Sequence, residues 1–126
     1  MNQRILVVDD EPNIALSVEF LLQKEGYEVA IAHNGSEALE RAAIFRPQLI
    51  VLDVMLPAID GFEVCRQLRV DPLHAELRIL LLTARGRAAE IERGLGLGAD
   101  AYMTKPFATR DLVAKIAQLL DPHRAS

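Results

Sequence analysis

Three acidic side chains follow directly on the first apolar run of the chain. Residues 5–13 read ILVVDDEPN, so Asp9, Asp10 and Glu11 stand together after four apolar residues. Neighbouring carboxylates repel one another, and without a cation at least one of them is driven towards its protonated form. A hard divalent cation removes this conflict, and Mg²⁺ prefers one or two carboxylates together with water and phosphate oxygens. The segment is therefore a candidate half of a magnesium site.

The same acidic residues also suit a purely structural role. Asp is favoured at helix N-caps and proline in the first helical turn, so Asp10 or Glu11 before Pro12 could merely begin a helix. The segment by itself does not decide between the two roles. The decision depends on which other residues reach the same place in the fold.

Five short apolar runs divide the chain, and each is followed by a longer segment with helical spacing. Continuous rather than alternating hydrophobicity predicts strands that are buried on both faces, as in a parallel sheet between two layers of helices. We therefore expect a doubly wound α/β fold in which a five-stranded parallel sheet is flanked by five helices. The runs cover residues 5–8, 29–32, 49–52, 79–82 and 101–103.

Several polar residues stand where these helices would begin. Asn34 with Glu37 resembles a capping box, and Asp60 and Thr109 are candidate N-caps. The fourth helix, around residues 87–97, contains two glycines, each of which costs about 0.8 to 1 kcal/mol relative to alanine. We expect this helix to shift easily.

Polar side chains also follow the apolar runs, at the predicted strand ends. In a parallel sheet with right-handed crossovers every strand ends at one edge, which brings Asp9 and Asp10, Asp53, Thr83 and Lys105 to a common rim. In the strand order 2-1-3-4-5 the three carboxylates meet at the switch point where such folds bind ligands. A carboxylate beside Mg²⁺ and an ammonium group can attack phosphorus, since both cations neutralise the transferred oxygens. Asp53 is therefore predicted to become an aspartyl phosphate.

Four segments of the chain resemble the receiver domain of two-component response regulators, the CheY-like superfamily with a flavodoxin-like fold. In order, they read ILVVDDEP, LIVLDVMLPAIDGFEV, ILLLTAR and GADAYMTKPF. The ordered set with this spacing is specific, although each segment alone would be weak. The resemblance predicts a receiver domain over residues 1–122 and a polar tail over residues 123–126.

The resemblance implies a role for each residue of the rim. Asp53 would be the phosphoacceptor. Asp9 and Asp10 would be the acidic pair that binds Mg²⁺ together with Asp53, with Asp10 the more direct ligand, and the backbone carbonyl of Met55 would complete the protein ligands. Thr83 would contact the phosphoryl group.

Three further residues complete the implied site. Lys105 would contact the phosphoryl group through its amine, and the bond before Pro106 resembles one that is cis in the family. Tyr102 stands where the family has an aromatic switch residue whose rotamer follows Thr83. The ordinary alternatives are a strand terminus for Thr83 and a strand aromatic for Tyr102.

The implied function is a phosphorylation-activated switch and not an enzyme. A sensor histidine kinase or histidine phosphotransfer protein would phosphorylate Asp53, and the face of helix 4, strand 5 and helix 5 would change its preference for a downstream effector. Only six residues follow Leu120, so we expect either a stand-alone receiver or a fragment of a regulator whose output domain is missing. Met55 and Arg85 offer no base beside the pocket, which predicts slow self-dephosphorylation.

The segment GADAYMTKPFATRDLVAKI also resembles the receivers of winged-helix transcription factors, which dimerise through charged residues on this face. Ile91 and Ala101 stand at positions that are usually charged there, although Asp111 and Lys115 remain. The resemblance therefore does not predict dimerisation through this face.

Composition limits the alternatives. A chain of 126 residues with 51% apolar residues and a net charge of −4 is typical of one globular domain, with no excess of basic residues for direct nucleic-acid binding. The first apolar run is too short for a signal peptide or a membrane span, so a cytoplasmic protein is expected. The single cysteine, Cys65, lies on an apolar helix face and is predicted to be buried and inert. The histidines, which show no metal-ligand spacing, are interpreted as surface residues: His33, His74 and His123.

Three other functions are compatible with this fold, but the residues of the first turn, the segment after Asp53 and the complete pocket argue against them in turn. A flavodoxin-like mononucleotide binder would need small residues that cradle phosphate at the first turn, where this chain has Asp9, Asp10 and Glu11. A phosphatase of the haloacid-dehalogenase type would need a second, acid–base aspartate after Asp53, where the chain reads Val54 and Met55. The third alternative is an unphosphorylated scaffold of receiver fold.

Overall fold

In the part of the chain that the structure describes, five strands alternate with five α-helices. The computed structural model describes residues 3–84 and 88–121. The strands are β1 (Arg4–Val8), β2 (Glu28–Ala32), β3 (Leu49–Asp53), β4 (Arg78–Ala84) and β5 (Ala101–Lys105). The helices are α1 (Pro12–Lys24), α2 (Gly35–Phe45), α3 (Gly61–Val70), α4 (Ala88–Gly96) and α5 (Thr109–Leu120), and a turn of 3₁₀ helix (Pro72–His74) precedes β4.

The strands form one parallel sheet in the order β2-β1-β3-β4-β5, which confirms the predicted fold class. Successive residues of a strand face opposite sides of the sheet, and both sides are covered. Helices α1 and α5 cover one side, whereas α2, α3 and the segment after α4 cover the other. The central strands are buried on both faces, which explains their continuous apolar runs.

Cys65, a residue of α3, lies in the core, as predicted. It is fully buried and free, and burial raises the pKa of its thiol. His74, by contrast, is only 6% exposed, so its assignment to the surface was wrong. The 3₁₀ turn holds His74 against the end of α3, where Arg69 donates to its carbonyl. His123 lies outside the described residues.

Two of the three predicted helix caps are confirmed. The side chains of Asn34 and Asp60 accept hydrogen bonds from the N–H groups of Glu37 and Glu63, at 2.8 and 2.9 Å. The assignment of Thr109 was wrong. The extended residue before α5 is Ala108, which has no capping side chain, and Thr109 is already helical.

Helix α4 spans nine residues and lies close to β4. Gly94 explains the close approach, because a Cβ at this position would collide with the Leu81 side chain of β4. The glycine that lowers helix propensity therefore also allows the helix to pack. Residue Arg87, where the predicted helix began, lies outside the described residues.

Candidate functional site

The carboxyl ends of β1 and β3 bring three predicted carboxylates together. Asp9 follows β1 and Asp53 is the last residue of β3, and both are buried, whereas Asp10 is exposed. Each of the three can offer an oxygen that lies within 4.8 Å of the oxygens offered by the other two. The three carboxylates were predicted to lie together if β1 and β3 are neighbours, and these two strands do pair.

Backbone hydrogen bonds fix the orientation of the two buried carboxylates. Asp9 Oδ1 accepts from the N–H of Glu11 at 2.9 Å, and Asp53 Oδ1 accepts from the N–H of Met55 at 3.1 Å. An Asp that bonds the backbone two residues later closes a local turn. The turns leave the Oδ2 atoms of Asp9 and Asp53 available for a common partner.

Lys105 is that partner. Its Nζ atom lies 3.0 Å from Asp9 Oδ2 and 3.0 Å from Asp53 Oδ2, so one ammonium bridges residues 96 and 52 positions away in sequence. Burial lowers the stability of the charged ammonium, but the hydrogen bonds to Asp53 and Asp9 outweigh it and raise the pKa of Lys105. Burial raises the pKa of Asp53, against the opposing hydrogen bond from Lys105.

The donor set fits a hard divalent cation. Among the described residues, three carboxylates and one ammonium form the cluster, so these groups together carry an excess of negative charge. The carbonyl of Met55, in the loop after Asp53, accepts no hydrogen bond from the described residues. Carboxylate and carbonyl oxygens of this kind suit Mg²⁺, which takes its remaining ligands from water and phosphate.

Thr83 lies on β4, beside the strand that carries Asp53. The residue is 1% exposed, and its Oγ1 atom has no hydrogen-bond partner among the described residues. A buried polar group without a partner costs free energy, so such groups often mark a site for a ligand. This hydroxyl is available to a group that enters beside Asp53.

Strand β5 carries the remaining predicted residues. Tyr102 is exposed and lines a groove of about 730 Å³ together with Leu95 of α4 and Lys115 of α5. The peptide bond between Lys105 and Pro106 is cis. The side chain of Tyr102 is therefore exposed in this groove and is not part of the carboxylate cluster at the carboxyl ends of the strands.

The first residue of α3 lies against the loop that follows Asp53. Gly61 begins α3, and a Cβ there would collide with the backbone of Asp53 and Val54, so only glycine allows α3 to start against the acceptor loop. This role of Gly61 was not predicted from the sequence, although the Asp60–Gly61 pair was a visible signal. Arg85, which was predicted to flank the pocket, lies outside the described residues.

Comparisons with known proteins agree on one family. The family model of the response regulator receiver domain matches residues 5–117. The alkaline phosphatase synthesis transcriptional regulatory protein PhoP of Bacillus subtilis is 49% identical over 120 residues, which are 95% of this chain and 49% of PhoP. Response regulator MprA of Mycobacterium ulcerans is 50% identical over 120 residues, which are 95% of this chain and 51% of MprA. The chain therefore spans about half the length of these two relatives.

A solved structure gives the same result for the fold. The CheY-like response regulator receiver domain protein from Methanospirillum hungatei superposes with a TM-score of 0.91 at 33% identity, over 99% of this chain and 98% of that protein. The parallel sheet, the carboxylate rim and the family match over most of the chain lead to one conclusion. The chain belongs to the family of response regulator receiver domains, the signalling modules of two-component systems.

Proposed function

We propose that this receiver is a switch activated by phosphorylation of Asp53. The observation that carries the proposal is the environment of the Asp53 carboxylate, which accepts hydrogen bonds from the Met55 N–H and the Lys105 ammonium at the rim of the sheet. The phosphoryl donor is a sensor histidine kinase or a histidine phosphotransfer protein. The receiver unit covers residues 1–122, followed by the tail of residues 123–126.

In the transfer step, a carboxylate oxygen of Asp53 forms a bond to phosphorus while the bond from phosphorus to the donor's histidine nitrogen breaks. Lys105 stays close to the phosphoryl oxygens and neutralises part of their charge, since its ammonium already bridges the cluster. The hydroxyl of Thr83, which has no hydrogen-bond partner among the described residues, donates a hydrogen bond to a phosphoryl oxygen.

Asp9, Asp10, Asp53 and the carbonyl of Met55 would hold Mg²⁺. When bound, the cation would offset the negative charge that the carboxylates and the phosphoryl group bring together. The residues of the chain set its position, because the backbone turns of Asp9 and Asp53 fix both carboxylates before the ion arrives.

The switch follows from the new bond of Thr83. When the hydroxyl moves towards the phosphoryl group, Tyr102 turns inward, and the face formed by α4, β5 and α5 changes its partner preference. The exposed ring of Tyr102 and the groove beside it support this step. Coupling of this kind is typically about 1 to 3 kcal/mol, which is enough to bias a two-state equilibrium.

The output of this cytoplasmic, non-enzymatic switch is a contact with a downstream effector protein or with an output domain outside this sequence. PhoP, of which the chain matches about half, is named a transcriptional regulatory protein. With a net charge of −4, this chain itself has no basic excess for direct nucleic-acid binding. No helix in the described ranges is both long and apolar enough to cross a membrane.

Intact mass measurement after incubation with acetyl phosphate tests the proposal. We expect the gain of one phosphoryl group in the presence of Mg²⁺, and no gain when Mg²⁺ is removed or in the folded variant Asp53→Asn. Glu40→Gln, which changes an exposed carboxylate of α2 away from the cluster instead, is the matched control and should be phosphorylated normally. A folded wild-type protein that gains no phosphoryl group would favour the scaffold function.

A further inference from the structure

Strand β2 forms an open edge of the sheet. Its only neighbour among the described residues is β1. The N–H of Glu28 donates to Gln3 and the carbonyl of Ala32 accepts from Asp9, so these residues direct their backbone groups towards β1. In a parallel strand the alternate residues face the other way, which leaves the N–H and C=O groups of Val29 and Ile31 directed outward.

This edge lacks the usual protection against a further strand. Proteins protect open edges with proline, lysine or a bulge, and β2 reads EVAIA, with a charge only at its first residue. The regular register with β1 shows no bulge along the strand. The outward N–H and C=O groups of Val29 and Ile31 therefore provide four hydrogen-bonding groups with which a further strand could pair.

A groove of about 850 Å³ runs along the same edge, between β2 and α2. Its apolar part is formed by the small side chain of Ala30, by Phe45 and by Ile44, which is 83% exposed. Ile44 is the most exposed large apolar side chain in the described ranges. An extended segment beside β2 would cover it.

The charges of the groove favour a basic partner. The groove lining carries three glutamates and two arginines, which give it a net charge of −1. Arg41 lies 3.6 Å from Glu37, and Arg4 donates to the carbonyls of Phe45 and Arg46 at the end of α2. Two carboxylates of the groove have no ion pair with another described residue; they are Glu28 and Glu40.

We propose that this groove binds an extended, basic segment of a partner protein, which adds to β2 as a sixth strand. The backbone of the segment would pair with Val29 and Ile31. Every second side chain would face α2, with an apolar residue against Ile44 and lysine or arginine next to Glu28 and Glu40. The site is independent of the proposed phosphorylation of Asp53.

A designed peptide provides the test. The probe is an acetylated and amidated Thr-Lys-Thr-Val-Thr-Lys-Thr, which places Lys, Val and Lys on one face of a strand. We expect this peptide to slow the hydrogen exchange of the Val29 and Ile31 amides, measured by NMR, by about tenfold at saturation. A matched peptide with Glu for both Lys should bind about fivefold to tenfold more weakly, because two exposed ion pairs become like-charge contacts.

Variants locate the binding. Ile44→Lys and Glu40→Lys should each weaken binding of the lysine peptide, whereas Val70→Lys, at a 69% exposed apolar residue of α3 outside the groove, should not. The proposal is overturned if the peptide leaves both amides unprotected, or if protection is the same in all three variants. Protection that rises with protein concentration alone, together with a dimeric mass, would overturn it in favour of a second copy of this chain.

Discussion

Replacing Thr83 with valine should separate the stability of the resting domain from its switching. Valine keeps the branched shape of threonine and removes the hydroxyl, which is buried without a partner. An unsatisfied buried polar group costs about 1 to 3 kcal/mol, and a buried methyl group contributes about 0.8 kcal/mol. We therefore expect Thr83→Val to raise the free energy of unfolding by about 2 to 4 kcal/mol in the absence of phosphate and metal.

Urea unfolding measures this change. With an m-value of about 2 kcal/mol/M, the midpoint should rise by about 1 to 2 M while m stays unchanged. Thr104→Val is the matched control, because Thr104 pairs with Thr83 in register but is half-buried and has no orphan atom in the described structure. Its stability should change by less than about 0.5 kcal/mol.

The same variant should lose its response to phosphorylation. Asp53 keeps its contacts with Met55 and Lys105, so Thr83→Val should still accept a phosphoryl group from acetyl phosphate. The NMR signals of the Tyr102 ring should then remain at their unphosphorylated positions. A Thr83→Val protein that is less stable than wild type would contradict this prediction. It would mean that the Thr83 hydroxyl already has a hydrogen-bond partner in the unphosphorylated protein.

Three further predictions concern other parts of the molecule. Gly94→Ala should lower the free energy of unfolding by at least about 1 kcal/mol, because its Cβ would collide with Leu81. A Cβ at Gly96 would have open space, so Gly96→Ala should raise the free energy of unfolding by about 0.5 to 1 kcal/mol. Urea unfolding of both variants tests the packing of α4. Burial lowers the pKa of His74 in the folded state. As the pH falls, the imidazole is therefore protonated in the unfolded state before it is protonated in the folded state. Stability should therefore fall as the pH drops from about 6.5 through the lower folded-state pKa, and His74→Gln should flatten this part of the profile. Met55 is 60% exposed beside the acceptor and carries no base, so the phosphorylated protein should persist for many minutes by intact mass; Met55→Glu should lose phosphate faster, and rapid loss from the wild type would contradict this.

The strands and the rim were predictable because burial on both faces produces continuous apolar runs. Strands in a parallel sheet end at one edge, and the residues that follow these runs could therefore be placed together before any distance was known. For this reason the Nζ atom of Lys105 lies 3.0 Å from a carboxylate oxygen of Asp9 and 3.0 Å from one of Asp53. Strand order and residue type were sufficient for this part of the site.

Features that depend on local backbone geometry were not predictable in the same way. Thr109 has the right chemistry for an N-cap, but whether a residue caps a helix or begins it depends on its dihedral angles, and Ala108 takes the extended position. The burial of His74 follows from a 3₁₀ turn packed against α3, which leaves no periodic signal in three residues. The orphan hydroxyl of Thr83 and the groove beside β2 are visible only once all neighbours are in place.

Locating the acyl phosphate within the chain tests whether Asp53 is the phosphoacceptor. After phosphorylation with acetyl phosphate and Mg²⁺, borohydride reduces a phosphorylated aspartate to homoserine, and peptide mass spectrometry then identifies the position. We expect homoserine at residue 53 and unmodified aspartate at residues 9 and 10. Homoserine at Asp9 or Asp10, or a phosphorylated protein in which residue 53 remains aspartate, would contradict the assignment of Asp53 as the phosphoacceptor.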